Sequence, residues 1–409
     1  MQQALSGPVM NPDLDRLLAY PFERLRMLLA ECTPPQDRPR LSLAVGEPQH
    51  APPELALNAL VEHRNQYARY PSIRGGLPLR QAAASWLTSR YGLPCEAVDP
   101  EHQILVVNGS REGLFAIAQT VVDRTRDDAT VVVPNPFYQI YEGAALMAGA
   151  TPWYMNADAD GGLGAELERV PDAVWARCQL VYLCSPNNPT GAVASLADLQ
   201  RLIGLAERFD FVVVADECYA EIYSGEAPPG LLQAAARMGR PDFARCLVFH
   251  SLSKRSNLAG LRSGFVAGDA ALIEAFARYR SYHGCSMPGP SQAASIAAWG
   301  DEEHVRANRA LYRDKFAEVV PSLSQSLSVR APQGGFCLWA ATPVDDETLT
   351  RALFEQEHIV VLPGRYLART AHGVNPGVNH VRLALVHERA VCRDAAERIC
   401  RVVDGLVAG

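Results

Sequence analysis

The sequence predicts an α/β protein, a mostly parallel sheet flanked by helices, joined to a smaller α+β unit built from the two ends of the chain. Three observations predict it. Short β-branched apolar runs alternate with amphipathic helical stretches through the middle of the chain, as strands buried on both faces and separated by crossover helices do. The last hundred residues instead group a long helix, short strands and a closing helix. Most punctuated loops follow the strands at their C-terminal ends, the edge where open α/β sheets bind ligands.

In chain order, the segment 12–45 carries Pro34, Pro35 and Pro39 as a break and is expected to complete the smaller unit. Strands are expected at 104–107, 130–133, 180–184, 211–215, 246–250 and 264–267, short runs rich in Val, Ile, Leu and Phe. Between them, 111–122, 139–148, 196–209 and 271–283 have helical apolar spacing. A long helix is expected at 302–328, then strands at 334–340, 359–362 and 381–385 and a final helix from about 388. The expected division is a large domain, 46–295, and a small one made of 1–45 and 296–409.

Composition narrows the function classes. The chain has 409 residues, 48% hydrophobic and 20% charged, long enough for a substantial core. A net charge of −7 argues against a nucleic-acid partner, which wants a basic face. No run approaches the roughly 20 apolar residues of a membrane helix, and Met1 to Val9 lack a basic-then-apolar leader pattern, so a cytoplasmic protein with no membrane partner is expected. Ten cysteines are scattered without a C-x-x-C pair, so no metal site is expected.

One count stands out: 36 Arg against two Lys, Lys254 and Lys315. Arginine replaces lysine on most surfaces but cannot serve as a nucleophile or Schiff-base donor, so a retained lysine merits attention. Lys254 closes Ser251-Leu252-Ser253-Lys254, and Gly260-Leu261-Arg262-Ser263-Gly264 follows. Upstream stand Asn187-Asn188-Pro189-Thr190-Gly191 and Asp216-Glu217-Cys218-Tyr219. Neither G-x-G-x-x-G nor G-x-x-x-x-G-K-[ST] occurs.

This ordered set of N-P-T-G, D-x-x-Y, S-x-S-K and G-L-R-x-G resembles the class I/II, fold-type I, pyridoxal-phosphate-dependent aminotransferases over about residues 40–390. The resemblance implies a seven-stranded sheet plus a smaller α+β domain, pyridoxal 5'-phosphate as cofactor, amino acid and 2-oxo acid substrates, and a homodimer with shared active sites. Lys254 then carries the cofactor and moves the substrate proton. Asp216 keeps the cofactor's ring nitrogen protonated. Asn188 and Tyr219 donate to its phenolate oxygen, with Tyr219 placed among the catalytic groups, and Tyr138 stacks on its ring. Its phosphate falls to Ser110 and Arg111 at a helix start, to Ser251, Ser253 and Arg262, and to Tyr70 across the dimer interface. Arg382 binds the substrate α-carboxylate, and Gly46 and Asn188 line the substrate site.

Four segments, 11–26, 135–144, 249–268 and 363–385, are similar to the proteobacterial N-succinyl-diaminopimelate aminotransferases of lysine biosynthesis. That similarity implies N-succinyl-L,L-2,6-diaminopimelate and 2-oxoglutarate as substrates, with Arg24, Arg26, Arg74, Arg365 and Arg369 available for a distal carboxylate. Acetylornithine-, aspartate- or aromatic-type transamination and a C–S lyase are the alternatives that share this site. A non-catalytic cofactor-binding regulator is a remoter one, because only about 40 residues precede the match.

Overall fold

The structure, a computed structural model, describes residues 10–157 and 162–408. Its strands, in chain order, are β1 (Leu41–Ser42), β2 (Ile104–Val107), β3 (Thr130–Asn135), β4 (Thr151–Asn156), β5 (Cys178–Cys184), β6 (Val212–Asp216), β7 (Cys246–Ser251), β8 (Gly264–Gly268), β9 (Cys337–Ala341), β10 (Ile359–Val360), β11 (Leu362–Pro363) and β12 (His380–Ala384). Seven of them form one sheet in the order β2-β8-β7-β6-β5-β3-β4. β8 runs antiparallel to both of its neighbours, and the other paired strands are parallel. The C-terminal ends of the parallel strands therefore share one edge.

Strand alternation divides the interior into two layers. Ile104, Val106, Val181, Leu183, Val213, Ala215 and Val248 belong to one buried cluster, with Trp86, Trp175 and Trp299. Their odd–even partners Leu105, Val107, Leu180, Tyr182, Val214, Leu247 and Phe249 belong to another, against the helices Ser110–Val121, Ile140–Met147 and Ala270–His283. Burial on both faces is why these strands read as near-continuous apolar runs.

The chain ends build a second layer system. β12 lies between β11 and β9 in an antiparallel three-stranded sheet, and β1 pairs with β10 in parallel. The helices Glu303–Leu323 and Arg389–Ala408 pack there through Tyr312, Phe316, Ile399 and Val403. The short helix Pro21–Leu28 packs Leu25 and Leu28 against Leu362, Tyr366 and Leu367.

Several expected bounds are corrected. β4 has no counterpart among the expected strands: Pro152 interrupts a strand-like pattern, and β4 is a sheet edge with a largely half-buried face, where proline is tolerated. The strand expected at 334–340 begins only at Cys337, after the Gly334-Gly335 turn. The run 359–362 is split between two sheets, Ile359–Val360 and Leu362–Pro363. The long helix ends at Leu323, just past Pro321, rather than at 328.

Candidate active site

The loops after β2, β3, β5, β6 and β7 converge on a cavity of about 700 Å³, closed from the other side by Gly46, Leu362, Leu367 and Arg382. Every candidate cofactor, catalytic or α-carboxylate residue named from sequence lines it except Tyr70. Tyr70 is fully exposed, 104% against the reference residue, and lies outside the cavity of its own chain.

Lys254 sits in the one-turn helix Leu252–Arg255 directly after β7. Its ammonium donates to the Gly46 carbonyl and lies 5.2 Å from the Phe336 ring centre. Burial, assisted by the nearby Arg382 charge, pushes its pKa below the ordinary lysine value. An amine so placed spends more of its time neutral, as a nucleophile must.

Asp216 ends β6 and is 3% exposed. Its Oδ2 accepts from the Tyr141 hydroxyl at 2.8 Å and its Oδ1 from the Cys218 amide at 3.2 Å. Burial raises its pKa, against the Cys218 and Tyr141 hydrogen bonds. Among the described residues it makes no ion pair, so a buried carboxylate faces the cavity without a cation of its own. Such a group is costly unless something cationic meets it.

An anion cradle lies at the other end. The helix Ser110–Val121 starts at the cavity behind Gly109, whose φ is +82°. A Cβ on Gly109 would fall 2.3 Å from Arg262 Nη2, so only glycine lets this turn meet the guanidinium. Arg262 donates to the Asn108 carbonyl at 3.3 Å and the Ala259 carbonyl at 2.9 Å. The Ser251 hydroxyl accepts from the Ser253 amide at 3.1 Å. Helix-terminal amides, two hydroxyls and a fixed guanidinium make a dianion site.

Arg382, in the middle strand of the small sheet, is 6% exposed and reaches across to the large one. It donates to Asn188 Oδ1 at 3.1 Å and to the Ala44 carbonyl at 2.5 Å, while its Nε is buried with no partner. Tyr138 accepts from Arg111 Nε at 2.7 Å and meets Tyr141 edge-on, ring centres 5.8 Å apart. Tyr219 is buried against Phe336, and burial raises its phenol pKa.

These residues fit pyridoxal phosphate. The amine can hold its aldehyde carbon, the unpaired carboxylate its ring nitrogen and the cradle its phosphate, which leaves the orphaned Arg382 Nε for a substrate carboxylate.

None of the five arginines expected to be available for a distal carboxylate lines the cavity of its own chain. Arg74 is paired with Glu274, Arg365 with Asp345 and Asp346, and Arg369 with Glu142. Arg24 stacks on Tyr366, 3.8 Å from its ring centre. Arg111 does line the cavity, its side chain bonded among the described residues to Tyr138 and, at 3.1 Å, to the Tyr20 hydroxyl. Sequence reasoning missed Tyr141, Cys184 and Cys218, and Tyr20, Pro21 and Phe22 from the N-terminal segment. The D-E-C-Y spacing contained the signal for Cys218, since it separates the two D-x-x-Y residues; the others carry no local signal.

Comparison with known proteins agrees with this geometry. An LL-diaminopimelate aminotransferase of Moorella thermoacetica is 31% identical over 397 residues, 94% of this chain and 96% of its own. The crystal structure of an aminotransferase from Neisseria meningitidis is 44% identical with a TM-score of 0.92, over 96% of this chain and 100% of that one. A probable N-succinyldiaminopimelate aminotransferase from Thermus thermophilus is 27% identical with a TM-score of 0.82, over 93% and 98%. The sequence model of the family described as aminotransferase class I and II matches residues 38–399. The chain belongs to the class I and II aminotransferases, whose cofactor is pyridoxal 5'-phosphate.

Proposed function

We propose that this aminotransferase acts on a diaminopimelate-type substrate, N-succinyl-L,L-2,6-diaminopimelate, with 2-oxoglutarate and glutamate as the exchanging pair. The observation that carries the reading is the Arg111 side chain, a cation at the cavity wall with no acidic partner among the described residues, distinct from the Arg111 backbone amide that belongs to the phosphate cradle. It supports recognition of a carboxylate far from the reacting carbon, which the succinylated substrate and 2-oxoglutarate share.

The cofactor supplies the electron-withdrawing ring that stabilises negative charge at the substrate α-carbon. Arg382 orients the α-carboxylate, with its spare Nε–H directed to a carboxylate oxygen. Lys254, released from the Gly46 carbonyl, would take the α-proton onto its neutral Nζ and hand it on toward the cofactor side rather than back to the α-carbon. Asp216 remains ionised once a ring N–H meets it, and Tyr141 and the Cys218 amide keep its oxygens aimed. Asn188 and Tyr219 would donate hydrogen bonds at the phenolate side of the bound cofactor, and Tyr138 would cover its ring. The division into 46–295 and the two chain ends belongs to the same proposal, with Arg382 reaching the site from the C-terminal part. So does a homodimer in which Tyr70 serves the partner's site.

A second reading, free LL-diaminopimelate as donor, is favoured by the curated relatives of that name. Glu47, which lines the cavity without an ion pair among the described residues, supports it as a partner for a distal ammonium. Comparing kcat/KM for the succinylated and free diaminopimelates, acetylornithine, aspartate and aromatic amino acids separates the readings. The proposal requires the succinylated substrate to lead by at least about tenfold, roughly 1.4 kcal/mol of transition-state discrimination. A lead for the free diamino acid establishes the second reading instead.

A further inference from the structure

The second lysine has no place in the site just described, yet it is 2% exposed in the middle of the helix Glu303–Leu323. A buried ammonium is expensive unless it is held by acceptors. Lys315 Nζ donates to the Leu385 carbonyl at 3.0 Å and lies 2.7 Å from His50 Nε2. The opposite ring nitrogen, His50 Nδ1, is 2.7 Å from Asn308 Oδ1. Asn257 Nδ2 donates to the same oxygen at 3.2 Å, so two donors fix which way the Asn308 amide points. Asn308 Nδ2 then donates to the Lys254 carbonyl at 3.4 Å.

One proton arrangement satisfies the whole chain. The ammonium donates to Nε2, Nδ1–H donates to Asn308, and Asn308 donates onward to Lys254. Neutral His50 suits this arrangement: burial holds it below the ordinary imidazole value, the Asn308 bond opposes that, and the Lys315 charge adds to it. Burial also pushes Lys315 down to about 8.

The other contact of Lys315 leads to the same place. Leu385 is three residues past Arg382, and its amide donates to the Phe336 carbonyl at 3.0 Å. The Phe336 ring stacks on Tyr312 at 5.5 Å and lies under Lys254. A Cβ at Gly46 would come within 3.1 Å of that ring. His50 itself follows Gly46 by four residues. Three segments that meet at the reacting amine are thus tied to one buried cation.

We propose that Lys315 is a positioning residue for Lys254, anchoring through His50 and Asn308 both the segment that carries Gly46 and the turn that carries Lys254. This rests on the reading of Lys254 as the reacting amine. It also explains why lysine is retained here: a compact point charge can face a ring nitrogen and a carbonyl where a planar guanidinium would need more room.

The test uses Lys315→Met, which fills the space and removes the donor, with Asn308→Ala, which breaks the chain at another link, and the double variant. Two quantities are read: steady-state kinetics of the holoenzyme, and the labelling rate of Lys254 by an amine-reactive reagent in cofactor-free protein, by peptide mass spectrometry. In Lys315→Met, Lys254 is the only lysine left, so its signal is unambiguous. Each single variant is expected to lower kcat about tenfold with KM within about twofold, and to change Lys254 labelling by about threefold or more. The double variant is expected to be no worse than the poorer single, because both break one chain. Unchanged kcat and labelling with only a lower unfolding temperature, or fully multiplicative losses, would overturn the proposal. His50→Phe keeps a ring against Tyr312 and supplies the same two readouts if Lys315→Met does not fold. A Lys254→Ala protein that still binds cofactor covalently would instead overturn the underlying reading of Lys254.

Discussion

At Asp216 burial and function pull in opposite directions. The carboxyl is held by a phenol and an amide but has no cation until a protonated ring nitrogen arrives. Asp216→Ala should therefore lower kcat by about 10²–10³-fold or more, the scale of losing a preorganised charge in a dry site. Near-normal transamination by that variant would contradict the assignment. A stability consequence follows in cofactor-free protein. The folded pKa is raised, so the folded state binds more protons, and stability falls as pH climbs from the unfolded value, about 3.8, through the folded one. Asp216→Asn removes that penalty. Its unfolding temperature in the cofactor-free form should exceed wild type by a degree or more at pH 8, with the gain shrinking toward pH 4; equal values at both pH values would refute the argument.

The turn Asn108-Gly109-Ser110 shows how an element's start becomes a binding device. Helix Ser110–Val121 brings its first amides to the cavity only because Gly109 takes a positive φ beside Arg262. Gly109→Ala strains that backbone and displaces the guanidinium, so the dissociation constant for pyridoxal phosphate should rise about tenfold or more, read by fluorescence on titration into cofactor-free protein. An unchanged constant would mean the cradle lies elsewhere. The same elements show what could be read from sequence. β2, β3, β5, β6, β7 and β8 were readable because burial on both faces leaves unbroken apolar runs, and their following loops carry the turn residues that gather at one edge. β4 was not, because an edge strand needs no such run and tolerates Pro152. The motif residues around Lys254, Asp216 and Asn188 were readable because chemistry restricts their types. Arg111 as a candidate for the distal carboxylate was not: with 36 arginines, only the three-dimensional tally of ion pairs shows which are already paired. Tyr141, at the start of its helix, reaches Asp216 from a position no spacing rule marks.

Across the whole molecule, the segment that leads to Tyr70 is exposed along its length. Val61, Tyr67 and Tyr70 are all exposed, and every residue from 61 to 70 is on the surface. A homodimer covering this face, with Tyr70 entering the partner's cradle, predicts complementation. Lys254→Ala and Tyr70→Phe subunits, each impaired alone, should regain about a quarter of wild-type activity after subunit exchange, since half of the random dimers carry one intact site of two. Absence of rescue would count against sharing. No described helix is long and apolar enough to cross a membrane.

Which amine holds the cofactor decides the reading of the site, and a chain with two lysines makes that a clean question. Reducing the cofactor-loaded enzyme with borohydride, digesting it and mapping the added mass by peptide sequencing answers it directly. The account predicts the pyridoxyl phosphate mass on Lys254, stoichiometric with subunits, and none on Lys315. Label on Lys315, or a Lys254→Ala protein still labelled within the same cavity, would contradict it.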